Sequence, residues 1–483
     1  MNQDKNLIVY PELPDYMKRG GIAGALKLFG PGAIIASVTI GSGETLFASR
    51  AGAIFGYGLL WFIVLCAVCK TIQVYTGGRY MVLTGEHPME AWARLPGPRG
   101  WFPALLGGMS VLCFPFWIGA LSLLLGTVLN WIFGIDERYS PEQQQAYQQM
   151  FATGMIAVVI LFTLIQSYAV FEKVQTVIVA VLLLAILAGV FRASIDWLAV
   201  VNNTVAIHMP SYPEWIHTEY PEIVEKESVL LAMVVFMMAI GGGTYDYIGY
   251  LSFFRDKKWG GLGTTSAGST SLTAHPVIDV DDEVNLARAR GWLRAPMVDI
   301  FAGFFCVGVF TIAFNVLGAA ILHPDHKVPQ NNDDLLTLQA AFVTQFGESF
   351  KYLYQVGILM AIWGTLYGAF EIYSRTAYEC FRPLSQKVRQ SSFTRMRVAV
   401  CIYAGLGGLV LAWTVQHPLD IVKPIGPIAM LTCGIWCFAM IWADRRWLPK
   451  PLQMNPAWLL GNLVAGVIMG GFGGKAMLDV LMK

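Results

Sequence analysis

Two carboxylates follow glycine-rich segments inside long apolar runs, and these residue types at this spacing could bind an ion. Glu44 closes a Gly-Ser-Gly-Glu segment between the apolar stretches 31–40 and 45–55, and Asp246 follows a Gly-Gly-Gly-Thr-Tyr segment within the run 229–254. Carboxylates, carbonyls freed by unwound glycines and hydroxyls form an all-oxygen shell that suits hard divalent cations. The sequence therefore predicts an ion-binding site, with Glu44 and Asp246 as the metal ligands, formed by Gly41, Ser42, Glu44, Gly242, Thr244, Tyr245 and Asp246.

The position of these segments in the middle of membrane-length apolar runs indicates a function. Each apolar run is long enough to cross a hydrocarbon core of about 30 Å, which takes about 20 helical residues. Unpaired backbone groups and a charge are both unfavourable at mid-depth. Two interrupted helices in corresponding halves of a membrane protein point to the binding site of a transporter. Close helix packing through glycines is the alternative explanation for either segment alone.

Charged residues near these segments could pair with the predicted ligands or change the expected substrate. Lys70 in the middle of the second apolar run, or Arg50, could form a buried ion pair with Glu44. A lysine directed at the centre would repel a dication and would favour a second hypothesis, a sodium- or proton-coupled symporter of a small organic solute such as an amino acid. Glu371 is expected to pair with Arg375 one turn further on, in a structural or gating role.

Two other charges in the apolar runs are expected to lie near the cytoplasmic surface. Arg79 and Asp299 lie towards the ends of their runs, where long side chains reach the membrane surface.

The composition excludes several classes of protein. The 483 residues are 55% hydrophobic and only 13% charged, whereas charged residues make up about 25% of soluble proteins. The net charge of +1 comes without a dense basic patch, so nucleic acid is not an expected partner. Neither a nucleophile–base pair nor a phosphate loop is recognisable, and the eight cysteines lack metal-site spacing. We expect no enzymatic activity and no cofactor.

The hydropathy pattern predicts eleven membrane spans. The excess of lysine and arginine in alternate loops predicts that the amino terminus lies inside and the carboxyl terminus outside. We expect a cytoplasmic segment 1–27 and a single transmembrane domain 28–483, in the inner cell membrane. Within it, repeat one covers about 28–196, repeat two about 228–444, and an extra helix about 457–480. The spans are 29–55 (broken), 58–80, 103–133, 150–170, 174–195, 228–254 (broken), 297–322, 350–373, 396–415, 423–443 and 457–480.

The sequence resembles the NRAMP family of divalent-metal transporters. The similarity is carried by residues 30–85 around the first break, by the start of the fifth span (Phe-Glu-Lys-Val, 171–174), and by the sixth span. It implies an all-α, leucine-transporter-like fold of five-plus-five inverted repeats, with broken first and sixth helices and a central cation site. The family's Asp-Pro-Gly-Asn motif reads Gly-Ser-Gly-Glu here, and its Met-Pro-His motif aligns with residues 245–247, Tyr-Asp-Tyr.

The departures from the family's motifs change the expected chemistry. The family's acidic residues in the third helix would fall near Ile118 and Leu121, and all seven histidines lie in predicted loops, so a family-like proton path lacks carriers. The missing methionine removes a soft ligand and leaves an oxygen shell. The prediction is a secondary transporter of a hard divalent cation, Mg²⁺ or Mn²⁺ ahead of Fe²⁺, working by alternating access. We expect the protein to work as a monomer in the lipid bilayer. A non-transporting family member is the remaining alternative.

Overall fold

The computed structural model describes residues 7–19, 21–32, 43–165, 169–264, 277–329, 332–415, 421 and 425–482. The chain is almost entirely helical, as its apolar composition predicts. Two short strands, β1 (Leu7–Ile8) and β2 (Val277–Ile278), pair in parallel. The predicted loop 260–275 begins with a 3₁₀-helix, Gly260–Gly263, and its residues 265–275 lie outside the described part of the chain.

The first half of the chain forms helices that alternate between long apolar segments and short connecting turns. A π-helical segment, Gly43–Ala48, directly precedes α3. The helices are α1 (Asp15–Arg19), α2 (Gly21–Leu28), α3 (Ser49–Phe55), α4 (Leu60–Thr84), α5 (Pro88–Trp92), α6 (Trp101–Phe133), α7 (Pro141–Ile165), α8 (Ala169–Arg192), α9 (Trp197–Val205), α10 (Glu214–Glu219), α11 (Pro221–Lys226) and α12 (Val229–Ala239).

The second half continues in the same way after the sixth span resumes. A second π-helical segment, Gly318–Leu322, extends α15, and a 3₁₀-helix, Lys450–Leu452, precedes the last helix. The helices are α13 (Thr244–Lys257), α14 (Glu283–Trp292), α15 (Arg294–Leu317), α16 (Asn332–Thr344), α17 (Phe350–Phe381), α18 (Gln386–Gln390), α19 (Phe393–Thr414), α20 (Gly426–Trp447) and α21 (Pro456–Leu481).

Most predicted spans appear as helices long and apolar enough to cross a membrane. Within the described ranges there are eight such helices, and a ninth span if the pair Ala180–Arg192 and Trp197–Val205, bent by 110°, counts as one. The sixth span is two half-helices, α12 and α13, as predicted. The predicted break in the first span, residues 40–44, lies partly outside the described residues, which do not include 33–42. The limits of the two repeats stay predictions.

The amino-terminal segment is folded against one end of the bundle. The Tyr10 N–H donates to Asn285 Oδ1 at 2.8 Å, and the Tyr10 phenol donates to the Leu83 carbonyl at 2.6 Å. Burial raises the pKa of this phenol, so it stays protonated and able to donate. The Trp292 indole donates to the Pro11 carbonyl at 2.9 Å. We call this end of the bundle the amino-terminal side and the opposite end the far side.

Close packing at a glycine joins α13 to α17. A β-carbon built at Gly249 would overlap the Ile372 carbonyl oxygen and would lie 2.7 Å from the Thr376 hydroxyl. Membrane helices have no hydrophobic force to draw them together, so small residues that allow close backbone approach are important for their contact. Gly249 therefore fixes the distance between the second half of the broken span and α17.

We expect Gly249→Ala to lower the free energy of unfolding by about 1–3 kcal/mol, because overpacking outweighs the better helix propensity of alanine. Gly154→Ala is the matched control, since Gly154 is exposed on α7 and a β-carbon there meets no atom within 4 Å. The control should be neutral or slightly stabilising. Thermal unfolding in detergent measures both variants, and equal melting temperatures for the two would contradict this account of the contact.

Candidate functional site

The break in the sixth span is built from glycines. α12 ends at Ala239 and α13 begins at Thr244. Gly241 and Gly242 have φ values of 71° and 81°, in the left-handed region that side chains with a β-carbon avoid. The Gly243 N–H donates to Asp246 Oδ2 at 2.8 Å. The carboxylate thus lies at the amino-terminal end of α13, where free N–H groups and the helix dipole favour a negative charge.

The carboxyl-terminal end of α12 receives the opposite charge. Lys70 on α4 is completely buried, and its Nζ donates to the carbonyl oxygens of Met237 at 2.6 Å and Gly242 at 2.6 Å. The Ile240 carbonyl also accepts from it, and the Met238 carbonyl lies at 3.4 Å. We call these four oxygens the carbonyl cluster. Lys70, predicted as a charge partner, is therefore directed at the break and donates hydrogen bonds to its backbone carbonyls.

The predicted hydroxyl ligands of the sixth span have other contacts. The Thr244 hydroxyl donates to Cys433 Sγ at 3.3 Å, and the Tyr245 hydroxyl lies 3.7 Å from Met238 Sδ. The neighbouring Tyr247 hydroxyl donates to the Gly242 carbonyl at 3.1 Å. These contacts hold the half-helices in position around Asp246, and a role of Thr244 or Tyr245 as an ion ligand stays a prediction.

The first span reaches the described region just after its predicted break. Gly41 and Ser42 lie outside it, and Glu44 is described only as part of the backbone of the π-helical segment Gly43–Ala48. A π-helical turn displaces the carbonyl pattern of an α-helix and occurs often at functional sites. Whether the Glu44 carboxylate meets Asp246 stays a prediction.

Buried amides stabilise this π-helical segment, and the sequence analysis missed them. The Gln339 amide donates to the Thr45 carbonyl at 2.5 Å and to the Ser49 hydroxyl, and it accepts from the Tyr354 phenol. Asn315 Nδ2 donates to the Ala48 carbonyl at 3.2 Å. For Asn315 the available signal was an amide inside the predicted span 297–322, since buried amides in membrane helices need hydrogen-bond partners. Gln339 lies between two predicted spans, where no such signal was present.

Arg50, the other predicted partner of Glu44, donates to a backbone carbonyl. Its Nη1 contacts the Pro329 carbonyl oxygen. The side chain also lines a cavity of about 50 Å³ along α3 and α12, together with Tyr212, Glu227 and Phe236. Because α12 runs from the far side to the break, this cavity lies on the far-side approach to the carbonyl cluster.

Buried ion pairs tie the amino-terminal side of α13 to its neighbours. Arg255 Nε lies 2.9 Å from Glu379 Oε1 on α17, and the Ser252 hydroxyl donates to the same oxygen at 3.0 Å. Glu90 adds ion pairs to Arg255 at 3.8 Å and to Arg389 at 3.4 Å. This end of α13 is therefore held by charged contacts that are largely shielded from water.

The predicted pair of Glu371 and Arg375 is present, with its atoms 3.0 Å apart. Arg397 joins it from α19 at 2.9 Å, and Arg375 also reaches Asp256 at 2.9 Å at the end of α13. The group therefore links α13, α17 and α19 on the amino-terminal side, which supports a structural or gating role over substrate contact.

Arg79 and Asp299, expected near the cytoplasmic surface, are buried against protein partners and do not extend to water. Asp299 is completely buried, and it accepts from the N–H groups of Gly30 and Gly32 at 2.9 Å and from the Tyr250 phenol at 2.6 Å. Arg79 is 5% exposed and lies 2.6 Å from Asp444. Both charges are buried because packing supplies partners that a position within the apolar run does not reveal.

The described residues contain no preformed cluster of three or more His, Cys, Asp or Glu side chains able to hold a metal ion.

Comparison with known proteins gives a match to one family model over residues 32–244 and a fold for the whole chain. The family described as "Natural resistance-associated macrophage protein-like" matches residues 32–244. The Eremococcus coleocola manganese transporter, in complex with an aromatic bis-isothiourea substituted compound, is similar with a TM-score of 0.66 and 13% identity, over 99% of this chain and 91% of that chain. None of the curated protein sequences matches this chain.

A transporter of another family is also similar. Mhp1, a nucleobase-cation-symport-1 family transporter, in a closed conformation with bromovinylhydantoin bound, gives a TM-score of 0.51 at 13% identity, over 94% of this chain and 93% of that chain. Likeness at such low identity shows the fold alone. The fold is therefore the leucine-transporter-like arrangement that the resemblance implied.

We expect Arg255→Met to destabilise the protein by about 3–5 kcal/mol, because it leaves the fully buried Glu379 carboxylate without its nearest cation. Adding Glu379→Gln should restore much of the loss. Lys327→Met is the control, since Lys327 and Asp325 form an ion pair with both side chains more than half exposed and should contribute little. Melting temperatures in detergent test this, and an equal loss in the control would contradict it.

Proposed function

We propose that the chain is a divergent member of the Nramp family, whose model matches residues 32–244, and that it carries a divalent metal cation across the membrane. The observation that carries the proposal is the interrupted sixth span within a multi-pass, leucine-transporter-like fold, with the buried Asp246 carboxylate at the start of its second half. Half-helix ends and unwound carbonyls are the means by which such folds hold substrates and ions near mid-depth. Transport, and not catalysis, is the proposed activity.

The proposed substrate is a hard cation, Mg²⁺ or Mn²⁺. Oxygen is the donor that the predicted site residues offer, from the carboxylates of Glu44 and Asp246, the carbonyl of Gly41 and the hydroxyl of Ser42. The Gly242 carbonyl, also a predicted ligand, accepts from Lys70 and Tyr247 instead. One oxygen of Asp246 accepts from the Gly243 N–H, and a carboxylate has further lone pairs for an ion. Because Mg²⁺ retains several waters in most protein sites, a few protein oxygens are enough.

Alternating access is the proposed mode of transport. On the amino-terminal side, α13 is held by the pairs Arg255–Glu379 and Arg375–Asp256. On the far side, a cavity lies between α3 and α12. This asymmetry supports a state that is closed on the amino-terminal side. We propose that this side is cytoplasmic and that the membrane is the inner cell membrane, as the loop charges predict.

A second candidate function rests on Lys70. Its ammonium lies on the carbonyl cluster, and its charge is close enough to Asp246 for the two to attract each other. A fixed positive charge there opposes a dication and would suit an organic solute that carries a carboxylate, bound with Na⁺ or a proton as coupling ion. The two functions differ in what stabilises the purified protein, which makes them separable by one measurement.

We expect Asp246→Asn and Glu44→Gln each to lower Mn²⁺ uptake into proteoliposomes at least about tenfold, because each removes a charged ligand. Glu137→Gln, in an exposed loop, is the control and should transport normally. Retention of uptake by both variants would show that the metal ligands are wrongly assigned. Stabilisation of the wild type by amino acids with Na⁺, but not by millimolar Mg²⁺, Mn²⁺ or Ca²⁺, would favour the organic-solute symporter.

A further inference from the structure

The carbonyl cluster has the composition of a cation site. Its oxygens belong to Met237, Met238, Ile240 and Gly242, at the end of α12 and in the unwound segment that follows. The last carbonyls of a helix have no partner within that helix, and they carry about half a negative elementary charge from the helix dipole. Converging carbonyls of this kind replace the hydration shell of Na⁺ or K⁺ in other membrane proteins.

The group that occupies this cluster is part of the chain. Lys70 is fully buried on α4, and its Nζ lies 2.6 Å from two of the oxygens. An ammonium has three N–H donors, so four carbonyls exceed the number of linear hydrogen bonds it can make. The fourth oxygen, that of Met238, lies at 3.4 Å, and its attraction to Nζ is largely that of a dipole for a charge. The oxygens therefore surround Nζ as they would surround a monovalent ion.

We propose that the carbonyl cluster is a monovalent-cation site that the protein fills with the Lys70 ammonium, so that the break is held together without free Na⁺ or K⁺. Neutral carbonyls suit a single positive charge, whereas divalent cations are bound tightly through several carboxylates. Because the Lys70 ammonium already occupies these oxygens, no free monovalent ion binds to them during transport. Removing it creates a vacant Na⁺ or K⁺ site at the same four oxygens. The inference holds whichever substrate the protein carries.

The test is Lys70→Met, which keeps an unbranched side chain and removes the charge. Purified full-length protein is melted in detergent in N-methylglucamine chloride, NaCl or KCl at equal ionic strength. We expect the variant to melt at least about 2 °C higher in NaCl or KCl than in N-methylglucamine chloride, because an ion that binds the folded state stabilises it. The wild type should melt at the same temperature in all three salts.

Two controls separate a cation site from a general loss of stability. Gln73→Met changes another fully buried polar residue one turn further along α4 and should show no salt preference. Lys70→Arg keeps a permanent positive charge and should also show none. A wild type that responds to Na⁺ or K⁺ as strongly as Lys70→Met would place the ion elsewhere and overturn the inference.

A second variant covers a failure to fold. If Lys70→Met is recovered only in NaCl or KCl, the result supports the inference. If it cannot be recovered in any salt, Lys70→Gln is measured in the same way. Folded variants that melt identically in all three salts, or failure of both variants to fold in every salt, overturn it, because the four oxygens then bind no free ion.

The proposed function is tested separately by adding MgCl₂ or MnCl₂ to the wild type. Loss of that response would leave the result for Lys70→Met unaffected.

Discussion

Backbone carbonyls in a membrane interior need a donor, and at the sixth-span break the donor is the Lys70 ammonium. The hydrocarbon core has no water to donate or accept hydrogen bonds, so an interruption of a helix is stable only if protein groups or a water-filled cavity supply the bonds that the helix has lost. Lys70 does this for α12, and Asp246 accepts the Gly243 N–H of α13. A positive charge thus lies at the carboxyl-terminal end of one half-helix and a negative charge at the amino-terminal end of the other, which is the favourable arrangement for both dipoles.

The two half-helices are held very differently at their outer ends. α13 has a buried ion pair between Arg255 and Glu379 and a second link through Tyr250 to Asp299, whose carboxylate also accepts from the N–H groups of Gly30 and Gly32. Separating these groups would leave charges buried without partners, which is strongly unfavourable unless water enters at the same time. α12 borders a cavity instead. Opening on the amino-terminal side therefore requires concerted exchange of several ion pairs, while the far side has fewer such contacts to lose.

The sequence predicts the architecture well because hydropathy and glycine content act locally. The long spans, the interruption of the sixth span and the Glu371–Arg375 pair all depend on residues close together in the chain. The site depends on packing between distant segments. Lys70 is about 170 positions away from the carbonyls that it contacts, and only the rotation of α4 within the bundle decides where its side chain lies.

Pairing rules based on charge were also incomplete. Arg50 was a possible partner of Glu44, whose side chain lies outside the described part of the chain, and its guanidinium donates to the Pro329 carbonyl. Backbone oxygens are invisible to an analysis of side-chain types, although they are the most abundant acceptors in a membrane protein. The amides of Asn315 and Gln339 follow the same principle, since both donate to carbonyls of the π-helical segment.

The sum of the formal charges at the break influences which substrate can bind there. Lys70 and Asp246 together are neutral, so a dication arriving beside them would leave two uncompensated charges in a medium of low dielectric constant. A second carboxylate from Glu44, at the corresponding break of the first span, would halve that excess. The same three charged residues would instead be balanced by a substrate with a single positive charge. The position of the Glu44 carboxylate therefore bears directly on the substrate class, because it changes the charge that the bound ion has to meet.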